Sequence, residues 1–273
     1  MASYVHQVDL HKVPVPGIEA MTLVSSHHFP RHSHDQYGFG VMESGAHRSW
    51  SCVGSVTATA GDVIMVNPGE MHDGAPYGGA TRGWRMIYFD PALLAKELEE
   101  EFPGTIELVH PVACDRTLVR HFKRLFASLT SPHADDLARE ESLLAALMWI
   151  LRRHSVARPA SHSSSPHGRS PCVAKTVGRL DAAPAEPVSL AELAALSGIS
   201  RFRLLRSFAR ELGITPHAYL IQRRVRLARS LLASGQSPAQ AAIQAGFSDQ
   251  SHMTRAFVRQ LGITPARYRA FAA

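Results

Sequence analysis

Three histidines stand where strand geometry could make them act together. His32 and His34 are one residue apart, so in an extended strand both imidazoles project from the same face. His72 closes the run Gly61-Asp-Val-Ile-Met-Val-Asn-Pro-Gly-Glu-Met-His72, and with it three imidazoles could converge at the mouth of a β-structure. That chemistry suits a metal ion or the polar end of a small-molecule pocket. An iron-oxygenase triad also needs a carboxylate, and the nearest are Asp35, adjacent to His34, and Glu43, well beyond it. No catalytic residue, cofactor or bound metal is therefore expected, and His32, His34 and His72 are the candidates should a metal bind. The pocket reading joins these histidines to Tyr37, Glu70, Trp84 and Arg85 as an effector site.

A second set of chemically apt residues lies near the other end of the chain. Arg201, Phe202, Arg203, Leu205 and Arg206 form one group, and Gln250, Ser251, His252, Thr254 and Arg255 another. Arginine reads guanine with two hydrogen bonds and glutamine reads adenine, so both sets fit base edges. Phe202 and Leu205 could touch thymine methyls or simply pack. The charge agrees: from Val173 onward 14 Lys and Arg stand against 5 Asp and Glu, whereas residues 1–172 carry 15 against 18. Positive charge gathered at one end is what a polyanion partner needs, because neutralising phosphates releases condensed counterions.

Those residues must be held by elements, and the C-terminal elements repeat. Arg206-Ser-Phe-Ala-Arg-Glu-Leu-Gly-Ile-Thr-Pro216 returns as Arg255-Ala-Phe-Val-Arg-Gln-Leu-Gly-Ile-Thr-Pro265, eight identities in eleven. In the first copy Ser189 and Glu192 form a capping box; Leu190, Leu193, Ala194 and Leu196 make an apolar side, and Gly198 ends the helix. Ser200 caps the next helix, whose Leu204, Phe208 and Leu212 face inward. The second copy uses Ser237 and Pro238 to start and Gly246 to turn. Helix, glycine turn and a helix with a polar, basic leading end form a helix-turn-helix, predicted at about 189–212 and 237–261. Between them a long helix opened by Thr215-Pro216 carries Leu220, Leu227, Ala228 and Leu231 on one side and Arg223, Arg224, Arg226 and Arg229 largely elsewhere, with Arg223, Arg224 and Arg226 read as a solvated or phosphate-facing surface.

Residues 155–172 are rich in Ser, Pro, Gly and His without apolar periodicity, which reads as a linker. Upstream, short runs such as Tyr37–Met42, Asp62–Asn67 and Trp84–Phe89 between Gly, Pro and Asn predict an all-β barrel or sandwich. Two helices follow. The first places Leu118, Phe122, Leu125, Phe126 and Leu129 on one stripe; the second, about Asp135–His154, puts Leu137, Leu144, Met148 and Leu151 on a face with Leu143, Leu147 and Ile150 beside it. So wide a stripe has two readings: packing on the β-domain, which accounts for at least part of it, or a dimer interface between two such helices. Cys52, Cys114 and Cys172 lack CxxC spacing and predict reduced thiols rather than a disulfide framework. No uncharged apolar run is long enough for a membrane span and the N-terminus lacks a signal-peptide pattern, so a cytoplasmic protein is expected.

Ala-Gly-Phe-Ser-Asp-Gln-Ser-His-Met-Thr-Arg-Ala-Phe at Ala245–Phe257, followed by Gly262-Ile-Thr-Pro-x-x-Tyr-Arg269, resembles the AraC/XylS DNA-binding domain, as does the Arg224, Ala228, Leu231, Leu232 pattern of the linking helix. The segment over roughly residues 20–90 resembles the two cupin motifs of AraC-type effector domains, in which Gly-Asp opens a strand and Pro-Gly turns before an inward-facing His. Metal-dependent cupins carry a Glu four or five residues after His-x-His; Gly38 and Phe39 stand there instead. The resemblance implies a two-domain α+β protein: a cupin-like β-barrel over 1–112, helices for bridging or dimerisation over 113–154, a linker over 155–172, and an all-α DNA-binding domain over 173–273. It implies a transcription regulator, an activator rather than a repressor, with promoter DNA, a small-molecule effector, RNA polymerase and a second copy of itself as partners. His-Ser-His-Asp-Gln-Tyr-Gly-Phe-Gly with Asn-Pro-Gly-Glu-Met-His-Asp-Gly is similar to regulators found near amino-acid exporters, which implies an amino-acid-like effector. The competing class is a cupin metal-binding protein or enzyme with an accessory DNA-binding domain.

Overall fold

The computed structural model describes residues 4–51, 53–98, 105–158 and 169–272. The chain divides into two compact units parting between Ser163 and Ser164, with Phe29–His32 the one short segment grouped apart from its chain neighbours. Among the described residues eleven strands come first: β1 (His6–His11), β2 (Ile18–Ser25), β3 (Phe29–His32), β4 (Tyr37–Ser44), β5 (Ala46–Ser51), β6 (Gly54–Thr59), β7 (Val63–Val66), β8 (His72–Pro76), β9 (Arg82–Phe89), β10 (Thr105–Leu108) and β11 (Val112–Ala113), with helix α1 (Pro91–Leu98) after β9. Helices α2 (Arg116–Thr130) and α3 (Asp136–His154) follow, then β12 (Ser155–Arg158).

Among the described residues the strands form open sheets, β1-β2-β9-β4-β7-β11, β3-β8-β5-β6 and the pair β10-β12, rather than the closed barrel expected from sequence. The reason lies in alternation. On β4 and β9, Tyr37, Phe39 and Val41 with Ile87 and Phe89 turn to one face, where Leu118, Phe122, Leu125, Phe126 and Leu129 of α2 and Leu143, Leu147, Ile150 and Leu151 of α3 bury against them. Helices thus cover a face of the six-stranded sheet. The strand at its centre must be covered on both sides, and glycine permits this: a Cβ on Gly38 would meet Val66 and Tyr88 side chains, and one on Gly40 would meet Met86 and the Arg85 carbonyl.

Further sequence expectations change. Leu137 and Leu144 are exposed on α3, so the core stripe runs through Leu143, Ala146, Leu147, Ile150 and Leu151 instead. Within the stretch read as a linker, Ser155–Arg158 is a strand paired antiparallel with β10, and helix α4 (Pro171–Ala182) already begins at Pro171; residues 159–168 lie outside the described ones. Pairing with a distant strand has no local signature. Another change concerns the linking-helix arginines, described with their unit below.

The second unit continues with α5 (Leu190–Ser197), α6 (Arg201–Leu212), α7 (Pro216–Ala233), α8 (Pro238–Gln244), α9 (Gln250–Leu261) and α10 (Pro265–Ala272). Each start is locally encoded: Ser189–Glu192 and Ser237–Gln240 are complete capping boxes, and Ser200, Thr215 and Asp249 accept backbone N–H groups at their helix ends. Of the residues expected to be apolar cover on α5, Leu193 and Ala194 are buried, whereas Leu196 is exposed. Helix α7 packs on α4 and on α8, α9 and α10, so it is the spine shared by both repeats.

Candidate nucleic-acid interface and effector face

Helix α6 separates its sides cleanly. Leu204, Phe208 and Leu212 are buried, while Arg201, Phe202, Arg203, Leu205 and Arg206 are all exposed. The Arg206 guanidinium lies 5.5 Å from the Phe202 ring centroid, one turn away, which holds both on the outward face. The same division recurs on α9, where Met253 and Phe257 are buried and Gln250, Ser251 and Arg255 are exposed. Two predicted residues behave differently there. His252 is half-buried, with its Nδ1 3.1 Å from Ser248 Oγ and its ring edge-on to Phe247, and the Thr254 hydroxyl donates to the Gln250 carbonyl at 2.8 Å. Both polar groups are engaged within their own unit. Asp249 caps α9, and hydrogen bonds from the His252 backbone N–H and the Ser248 hydroxyl hold its carboxyl below the usual range.

Arg223 and Arg224 of α7 are not the solvated surface expected. Arg223 pairs with Asp181 at 3.0 Å, and Arg224 donates to the Pro184 and Glu186 carbonyls at 2.8 and 3.4 Å. Arg229 donates to the Tyr268 hydroxyl at 3.3 Å and lies over its ring. These charges tie α7 to α4, to the segment after α4 and to α10. Tyr219 adds to this by donating to Asp181 at 2.8 Å; burial and the Asp181 charge push its hydroxyl well above the usual range.

In the N-terminal unit the predicted effector residues fall into separate places. Trp84 and Arg85 are neighbours on β9 and therefore face opposite sides. Arg85 lies over the Phe126 ring of α2 and 3.6 Å from Glu43, and Tyr37 joins the helix-covered core, where its hydroxyl donates to the Ile106 carbonyl at 2.6 Å. Burial, then the charge of Glu107, pushes that hydroxyl up to about 12. Trp84 is on the other side, with the Arg82 guanidinium over its ring and His47 beside it. Glu70 is buried, accepts from the Asn67 backbone and side-chain N–H groups, and lines a small cavity with Met65, Glu107, Leu108 and Pro111.

Of the three histidines, His34 and His72 come together within the N-terminal unit: their ring centroids are 5.1 Å apart and His34 is 5.1 Å from the Tyr88 ring, whereas His32 falls in the short segment grouped with the C-terminal unit. Tyr88 and Met86, on the Trp84 side of β9, escaped the sequence reading. Their signal was present: residues 84, 86 and 88 alternate with the core-facing 85, 87 and 89.

Buried Arg82 was also missed, since a charged residue at a strand start gives no burial signal. It donates to His47 Nδ1 at 2.8 Å and to the Ser25 and His27 carbonyls, and desolvation lowers it to about 10. Satisfied donors allow a guanidinium this deep.

Comparison with known proteins places these parts. Residues 18–148 match the model of the AraC-like ligand binding domain, and residues 193–270 match that of a helix-turn-helix domain. An uncharacterized HTH-type transcriptional regulator of Bacillus subtilis (strain 168), YbfI, is 36% identical over 232 residues, 82% of this chain and 81% of that protein. The crystal structure of ToxT from Vibrio cholerae O395 superposes with a TM-score of 0.54 at 11% identity, covering 94% of this chain and 98% of the other. Unsaturated fatty acid-bound ToxT from Vibrio cholerae strain SCE256 gives 0.54 at 14% identity, covering 99% and 98%. At those identities the ToxT structures speak for the fold alone.

Proposed function

The chain belongs to the AraC family of helix-turn-helix transcription regulators, with an N-terminal ligand-binding domain, and from that premise we propose how its residues divide the work. Helices α6 and α9 enter successive major grooves, with Arg201, Phe202, Arg203, Leu205 and Arg206 leading on one and Gln250, Ser251 and Arg255 on the other. His252 shapes the second turn, and Thr254 offers its methyl. The observation that carries this reading is the exposed outer face of both helices over a fully buried inner one. Facing one side of a duplex, the two helices must stand about 34–36 Å apart.

The effector binds on the face of β9 that carries Trp84, Met86 and Tyr88, near His34 and His72, while Tyr37 and Arg85 transmit its presence to the α2 and α3 side. An amino-acid-like molecule fits a surface that mixes aromatic rings with imidazoles. Exposed Leu137 and Leu144 of α3 meet a second copy, and the liganded dimer acts as an activator that engages RNA polymerase at promoters in the cytoplasm. The effector switches transcription only by binding one arrangement of the protein better than another.

Fluorescence anisotropy on the upstream intergenic duplex and on a shuffled one, across a salt series, tests the DNA half. A preference on the order of a thousandfold for the native duplex, lost in Arg206→Ala and Arg255→Ala, is expected. Equal and steeply salt-dependent binding to both duplexes refutes it. A molecule that binds the N-terminal domain tightly yet alters neither DNA affinity nor promoter output defeats the effector half.

A further inference from the structure

We propose that the outward face of α2, with the last turn of α3, is a second DNA contact, one that grips phosphates without reading bases; it rests on the reading of α6 and α9 as the helices that bring the chain to DNA. The first ground is where the charge stands. Residues 116–130 and 142–154 hold six of the fifteen Lys and Arg found in residues 1–172, and none of the eighteen Asp and Glu. The N-terminal unit is acidic everywhere except on this helix pair.

The elements gather these cations. Asp115, at the start of α2, accepts from Trp149 and His154 near the end of α3, and Ser128 meets Ser142 at the other end, so the helices run antiparallel. Arg152 and Arg153 therefore stand at the same end of the pair as the first turns of α2. There Arg116, Arg120, Lys123 and Arg124 are exposed, opposite the buried Leu118, Phe122 and Leu125. Eight residues at a 1.5 Å rise make a stripe about 12 Å long. One strand of a duplex carries roughly three to four phosphates over that length. Glu141, 2.9 Å from Arg124, marks the far limit of the patch.

The surroundings select a duplex backbone over other partners. Among the described residues of α2 no large apolar side chain is exposed, so a protein partner would lack the apolar anchor of a protein interface, whereas DNA contacts are polar and positive. The Trp149 ring is already engaged by His121 at 5.6 Å and by the Arg153 guanidinium at 5.3 Å, which leaves no free platform for the bases of a single strand. Five of the six cations are arginine, whose fork fits phosphate oxygens. Contacts of this kind add affinity to every sequence alike and leave the choice of operator to α6 and α9.

Full-length protein carrying Arg116→Ala, Arg120→Ala and Lys123→Ala together is compared with wild type by fluorescence anisotropy on the upstream intergenic duplex and on a shuffled one, across a salt series. The slope of log K against log salt is expected to fall by about two to three on both duplexes, while the ratio of the two affinities stays as it was. Arg48→Ala, which removes an exposed cation of β5, is expected to leave the slope unchanged. Thermal melts check folding, and the corresponding triple glutamine chain replaces the alanine one if its melting temperature falls. A slope equal to wild type overturns the proposal, as does an equal loss per charge in Arg48→Ala. So does a shift in the monomer–dimer balance by sedimentation with the slope intact, which assigns the patch to a second copy. The shuffled duplex reports the slope whether or not the operator is preferred, so failure here and failure of the base-reading helices are distinguishable.

Discussion

Asp115 shows how much one side chain can hold. Its carboxylate caps α2 by accepting from Thr117 and Leu118 N–H, and it also accepts from Trp149 Nε1 at 2.8 Å and His154 Nε2 at 2.9 Å at the far end of α3. Burial alone would raise its pKa, but the Trp149 and His154 hydrogen bonds and the two backbone donors outweigh that and hold it well below the carboxylate range. A group depressed in the folded state contributes stability above its unfolded pKa and loses it as pH falls through the folded value. Asp115→Asn should therefore lower stability at pH 7, and the gap to wild type should shrink as pH drops below about 4. Asp115→Ala should cost on the order of 2–3 kcal/mol, combining a lost cap with abandoned buried donors. Urea melts from pH 7 to pH 3 measure both; a gap independent of pH would refute the carboxylate's role.

At the scale of elements the two helix-turn-helix glycines look alike in sequence but do different work. Gly198 has φ +67° and open space around a notional Cβ, so Gly198→Ala should cost only the left-handed backbone penalty, about 1 kcal/mol. Gly246 has φ +82° and, in addition, Ala185 backbone atoms where the Cβ would go. Gly246→Ala should cost roughly 2–4 kcal/mol, since backbone must move as well. Thermal denaturation of the two variants ranks them; equal losses would mean the Ala185 approach is unimportant. Caps, turns and repeats were legible because a Ser, a Glu three residues on and a glycine act within one turn of chain. What stayed hidden was nonlocal. Alternation along β9 could have told that Trp84 and Arg85 point apart, yet only the packing of α2 decides which of them faces the core. Likewise β12 exists through β10, and the face of α3 that buries Leu143 rather than Leu137 is set by the sheet beneath it.

For the whole molecule, the basic end of the chain is not one uniform field. Its 14 Lys and Arg include Arg223, Arg224 and Arg229, whose donors are directed to groups of their own unit, whereas Arg201, Arg203, Arg206 and Arg255 are exposed. Counterion release depends on charges that reach phosphate, so sequence counting overstates the number that act on DNA. An exposed arginine that meets phosphate should alter the salt slope, and an internal one should alter stability. Arg203→Ala is expected to reduce the slope of log K against log salt by about one while leaving the melting temperature within a degree or two. Arg229→Ala is expected to do the reverse: the slope stays, and stability falls by roughly 1–2 kcal/mol as the Tyr268 contacts that fasten α10 to α7 are lost. Anisotropy over a salt series and calorimetry on the same preparations separate the two effects. A slope that falls equally in both variants would mean α7 lies against the duplex, and the division of this domain into reading helices and an internally braced spine would have to be redrawn.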